Sequence, residues 1–140
     1  MKASSLSFQA AVLFVLAGMV WGIVMAISRD HSAMPAHAHL NLLGWVSLFL
    51  FGVFYHLHPR IDAGRAALVQ VWAWVIATFV QAVGVAMVNM GREGGDPIAA
   101  LASLVLVADM LLFGWLVFRR EFSAVPATQA AKSAVISRCL

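Results

Sequence analysis

A helix drawn from Leu40 to Tyr55 is apolar around its whole circumference and has no face to give to water. Such a helix belongs in a large core or in lipid. A chain of 140 residues cannot build a core of that size, so the stretch is a membrane span. His37 and His39 stand at one mouth of it, His56 and His58 at the other. Imidazole is costly to bury in a bilayer and is the commonest protein ligand for metals. These histidines are therefore the first candidates for chemistry.

Composition extends the argument to the whole chain. It is 63% hydrophobic and 11% charged, where soluble domains are roughly half apolar and a quarter charged. Four segments come near the ~20 apolar residues that a crossing requires: about 6–28, 38–57, 66–89 and 97–118. The first is too long for the apolar part of a signal peptide and has no clean cleavage site after it, so it is read as a retained span. The links between spans are short and carry Pro35, Pro59 or Gly91, Gly94 and Gly95. Short links make antiparallel neighbours. The expected fold is all-α: an integral membrane four-helix up-down-up-down bundle over residues 1–118, followed by a mobile cytoplasmic tail over 119–140.

The formal charge of +3 does not point to nucleic acid, because the basic residues sit at span ends and in the tail. Of the 9 Lys and Arg, one side holds Lys2, Arg60, Arg65, Arg119, Arg120, Lys132 and Arg138, and the other only Arg29 and Arg92. Seven against two places both termini in the cytoplasm. His31, His37 and His39 then lie at the outer face, and His56 and His58 at the inner. Trp21 on the outer side, and Tyr55, Trp72, Trp74 and Trp115 on the inner, fit aromatic belts at the two interfaces. The single cysteine, Cys139, excludes an internal disulfide, and it is not four from the end as a prenylation box requires.

His37 and His39 are two apart, roughly 200° around a regular helix, so they point to opposite faces. They cannot hold one small ion together unless Pro35 keeps the first turn open. They serve two separate sites, or they hydrogen-bond at the interface to water, headgroups or Asn41. His56 and His58, beside Pro59 and Arg60, are expected to be interfacial with solvated tips, and His31 to be an exposed loop residue.

Asp109 is the one acid well inside a span. At that depth a carboxylate costs at least ~2.5 kcal/mol, so it must face protein, water or a partner. Ser47 and Thr78 lie at similar depth as hydrogen-bond partners, and the role is either a proton relay or an interhelical clasp. Gln70 and Gln81 read as hydrogen bonds between helices, and Gly18-Met-Val-Trp-Gly22 as a small-x-x-x-small face that lets another helix approach. Met25, Met34, Met87 and Met90 gather near the outer side with His31, His37 and His39, a soft donor set suited to copper(I).

One stretch carries a family likeness. His39-Leu-Asn41-Leu-Leu, followed by Trp45, Phe49, Gly52, Tyr55, Leu57 and Pro59, resembles the second span of the large subunit of bacterial nitric oxide reductases, in the haem–copper oxidase superfamily. The resemblance implies that His39 is an axial ligand of a low-spin b haem near the outer face, in a bacterial inner membrane. The pair His37-Ala-His39 is also similar to the histidine pair of that family's tenth helix, whose two side chains bind different haems. The likeness covers His37 to Pro59 and no more. The family subunit has twelve spans in three arcs of four, and this chain carries neither its copper-holding motif nor its adjacent histidine pair. Autonomous reduction of oxygen or nitric oxide is therefore not implied. Three four-span chains would restore the count of twelve.

These readings converge on a haem-b-binding membrane protein with His39, His37 and Asn41 at the cofactor. Its work would be electron transfer, from a respiratory-chain donor, or binding of a diatomic gas. Its partners would be the lipid bilayer and further copies of itself, a trimer in preference to a dimer. The alternatives are a copper-handling protein using His31, His37, His39 and the methionines, and a structural or assembly subunit without cofactor.

Overall fold

The computed structural model describes residues 1–123, and all the regular secondary structure among them is helical. Cys139 and the rest of the tail from residue 124 lie outside the described residues. Four helices are long and apolar enough to cross a membrane: Ala3–Ser28, Met34–Leu57, Arg65–Asn89, and Gly95–Arg119 within the longer helix Gly95–Ser123. The chain is a multi-pass membrane protein by the length and composition of these helices. A four-residue turn of helix, Pro59–Asp62, links the second span to the third.

Two boundaries differ from expectation. The second span begins at Met34 rather than near residue 38, because Pro35 occupies the first helical turn. Proline has a suitable φ there, and the N–H it lacks would have no partner in any case. His37, which the expected bounds left just before the span, is thus inside the helix with His39. The fourth helix runs on to Ser123, past the expected span end near residue 118.

Within the second span, Leu40–Ser47 is wound as a π-helix. This wider winding pairs residues five apart and is rare. Two carbonyls of the stretch accept side-chain donors. The Trp74 indole N–H, from the third span, donates to the Leu43 carbonyl at 2.9 Å, and the Ser47 hydroxyl donates to that of Leu42 at 3.0 Å.

Packing follows chain order. The first span packs on the second, the second on the third, and the third most extensively on the fourth; among the described residues the first and fourth share no seam. The second and third are central, with 33% and 39% of their most apolar stretch buried, against 22% for each flanking span. Gly44 and Gly52 of the second span seat the rings of Phe14 and Phe8, and Gly84 of the third lies against the Ala99 backbone of the fourth.

The tightest part of the core lies toward the end of the molecule that holds the N-terminus. There Leu48, Phe51, Tyr55, Val71 and Trp74 are buried, with the Phe51 ring 5.0 Å from Trp74 and 4.3 Å from Phe113. Tyr55 and Trp74, expected in an aromatic belt, are instead core residues at 0% and 2% exposure. Trp72 and Trp115 are exposed, as a belt requires. The same end is tied by Asp62, whose carboxylate accepts the Ser4 backbone N–H at 2.7 Å and the Ser4 hydroxyl at 2.9 Å. A buried carboxylate at the start of the first helix satisfies an otherwise unpaired donor and complements the positive helix end.

Candidate functional site

His37 and Asn41, one turn apart on the second span, face the first span. Gly22 lies so close to His37 that an added Cβ would be 3.3 Å from its Cε1. At Gly18 a Cβ would meet Asn41 Oδ1 at 2.5 Å. The small-x-x-x-small face is therefore used inside the chain, as the seat of two polar side chains. Asn41 Nδ2 donates to the His37 carbonyl at 2.9 Å. The same nitrogen is nearly equidistant from the two ring nitrogens of His37, at 3.3 and 3.4 Å, which puts it over the ring face.

His39 behaves differently. It is half-buried, and its Nδ1 donates to the Pro35 carbonyl at 2.7 Å, one turn back. A carbonyl only accepts, so Nδ1 carries the proton, and the neutral ring then holds its lone pair on Nε2. Histidines that bind metals have this same arrangement, one ring nitrogen fixed by a backbone or carboxylate acceptor and the other free to ligate. The two histidines do not converge, in keeping with their spacing.

His31 is exposed in the loop before the second span, beside Asp30. The backbone and side chain of Ser32 hold the Asp30 carboxyl below its usual range. No three His, Cys, Asp or Glu among the described residues gather as a metal group. Of the methionines, Met25 is buried and Met34 exposed, while Met87 and Met90 line an apolar groove of about 460 Å³ with Phe14, Trp21, Leu40 and Phe79. His31, His37 and His39 are not on the wall of that groove.

Asp109 is buried between helices, at 5% exposure. Its partner is Gln70 of the third span, whose amide donates to it at 2.8 Å. Gln70 in turn accepts the Tyr55 hydroxyl at 2.7 Å, so three spans are linked by one chain of side chains. The expected partners are elsewhere. Ser47 donates within its own helix, and the buried Thr78 hydroxyl has no partner among the described residues. Gln81 meets Ser103 of the fourth span at 3.1 Å, which places both glutamines at helix contacts.

At the Ser4–Asp62 end the structure assembles a feature that sequence reasoning did not identify. A cavity of about 670 Å³ is lined by His58, Arg60, Arg65 and Arg119 together with Leu57 and Leu116. His58 is half-buried on the wall of this cavity. Its Nδ1 donates to the Phe54 carbonyl and its ring stacks on Phe54 at 4.3 Å, while His56 is exposed. The arginines had registered only as signals of topology. The clue to their meeting was their position at three consecutive span ends on one side.

No protein-family model, curated protein or solved structure matches this chain.

Proposed function

We propose that this protein binds haem b through His39 at the outer ends of the second spans of adjoining copies, and acts in electron transfer or in binding a diatomic gas. The observation that carries the reading is the 2.7 Å bond from His39 Nδ1 to the Pro35 carbonyl, which presents Nε2 as a ligand on a half-buried face. The donor chemistry fits an axial haem ligand. Bound there, the iron would supply one-electron transfer or a coordination site for a gas. His37, turned to the first span with Asn41, would hold the helix face that presents His39 or serve a second haem.

The seam between first and fourth spans that a closed bundle would have is absent among the described residues. First and fourth spans that do not meet leave flanks for other copies, which supports a homo-oligomer. A trimer agrees with the twelve-span count of the resembled subunit, and a twofold dimer is the alternative. In this reading the spans run up-down-up-down in a bacterial inner membrane with both termini cytoplasmic, and a respiratory-chain component donates electrons.

The test is the absorption spectrum of detergent-purified full-length protein, oxidised and then reduced. A Soret band with sharpened visible bands on reduction is the expected result. Colourless protein from haem-sufficient cells overturns the reading; bound copper on metal analysis would then favour a metal-handling role, and absence of both a structural one.

A further inference from the structure

We propose that the arginine-lined cavity at the Ser4–Asp62 end binds the phosphate headgroup of an anionic phospholipid. The proposal rests on the four membrane-spanning helices and is independent of the haem reading. The cavity lies where the second span ends, the third begins and the fourth approaches its C-terminus, so its walls come from three helices. Arg60, Arg65 and Arg119 all line one space of about 670 Å³. No carboxylate lines it among the described side chains, and the nearby Asp62 has both oxygens engaged by Ser4.

Arg60 and Arg65 bring two like charges to one cavity wall, and an anion there relieves their repulsion. Guanidinium groups match phosphate oxygens with paired N–H donors. The third helix starts at Arg65, so its positive end adds to the same field. Arg119 also lies over the Trp115 ring, 4.8 Å from its centroid, which places the cation beside an exposed aromatic suited to the bilayer interface.

The apolar part of the wall decides between a lipid and a free anion. Leu57 and Leu116 border the cationic space, and Leu116 is buried. A site for a soluble anion gains nothing from such a wall, whereas a phospholipid places its glycerol and first methylenes there. Basic pockets between spans are known to take anionic headgroups. The opposite groove near Trp21 has an apolar lining with Arg92 as its single basic residue and lacks this pattern.

Native mass spectrometry of the full-length protein in detergent, with phosphatidylglycerol or phosphatidylcholine of identical chains, tests the proposal. Phosphatidylglycerol should be retained at least about tenfold more strongly. Arg60→Gln with Arg65→Gln should weaken that retention about thirtyfold, whereas Arg29→Gln with Arg92→Gln at the other end should leave it unchanged. Circular dichroism checks that helicity persists. If the glutamine pair loses helicity, Arg60→Lys with Arg65→Lys takes its place and must keep most of the retention. Equal retention of the two lipids, or undiminished retention in the glutamine pair, overturns the proposal. So does equal stabilisation by millimolar inorganic phosphate without lipid, which would make the cavity a soluble-anion site.

Discussion

The Gln70 amide donates to Asp109 across 2.8 Å, and both side chains are shut away from the surface. Removing the acceptor leaves a buried amide unpaired, at about 1–3 kcal/mol. Asp109→Leu should therefore lower stability by that amount, while Asp109→Asn, which can still accept from Gln70, should stay within about 1 kcal/mol of wild type. Thermal unfolding in detergent measures both. A leucine variant as stable as wild type would show that the bond contributes nothing.

Gly18 gives a second, steric test. A methyl there would lie 2.5 Å from Asn41 Oδ1, whereas at Gly114 it would meet nothing within 4 Å. Gly18→Ala should cost about 1–3 kcal/mol through displacement of Asn41. Gly114→Ala should be neutral or stabilise by up to about 1 kcal/mol, because alanine is the better helix former. The comparison is made by unfolding both variants side by side, and equal effects would contradict the close approach of the first two spans.

How far the sequence foretold this arrangement depends on the kind of information. Span number follows from runs of apolarity, which are local, and the divergence of His37 and His39 follows from helical periodicity. The burial of Asp109 follows from the cost of a charge in lipid. Its partner does not. Ser47 and Thr78 look level with Asp109 by residue count, whereas Gln70 stands eight residues, about 12 Å, nearer the start of the third span than Thr78, and only the axial offset between packed helices selects it. The same limit hid the arginine cavity and the Ser4–Asp62 bonds, which join residues 58 positions apart. The π-wound segment has no local signature in Leu40–Ser47, since part of what holds it is Trp74 on another helix.

For the haem proposal, His39→Ala should remove the reduced-minus-oxidised absorbance and shift the protein to smaller species on size exclusion. His56→Ala, changed at an exposed position at the far end of the same helix, should alter neither. Full haem content in a monomer, or haem retained by the His39 variant, would rule out ligation by this residue between copies.

Orientation is tested at Cys139, the single cysteine of the chain. With both termini cytoplasmic, an impermeant thiol reagent should label it only after intact cells are permeabilised. Labelling of sealed cells would invert the assignment and move His37 and His39 to the cytoplasmic side.

The widened segment Leu40–Ser47 connects two α-wound halves of one helix. Below it, Tyr55 is held by Gln70 and the aromatic core; above it come His37 and His39. The winding of this segment sets the azimuth of the histidines against that anchored lower half. Rewinding its eight residues as ordinary α-helix, at about 100° each instead of roughly 80°, would swing them through more than about 100°. His37 would leave its seat at Gly22, and the face that His39 presents would change without any substitution of either histidine. The angular position of both histidines is thus set by how tightly the eight residues below them are wound, and not by anything at the histidines themselves.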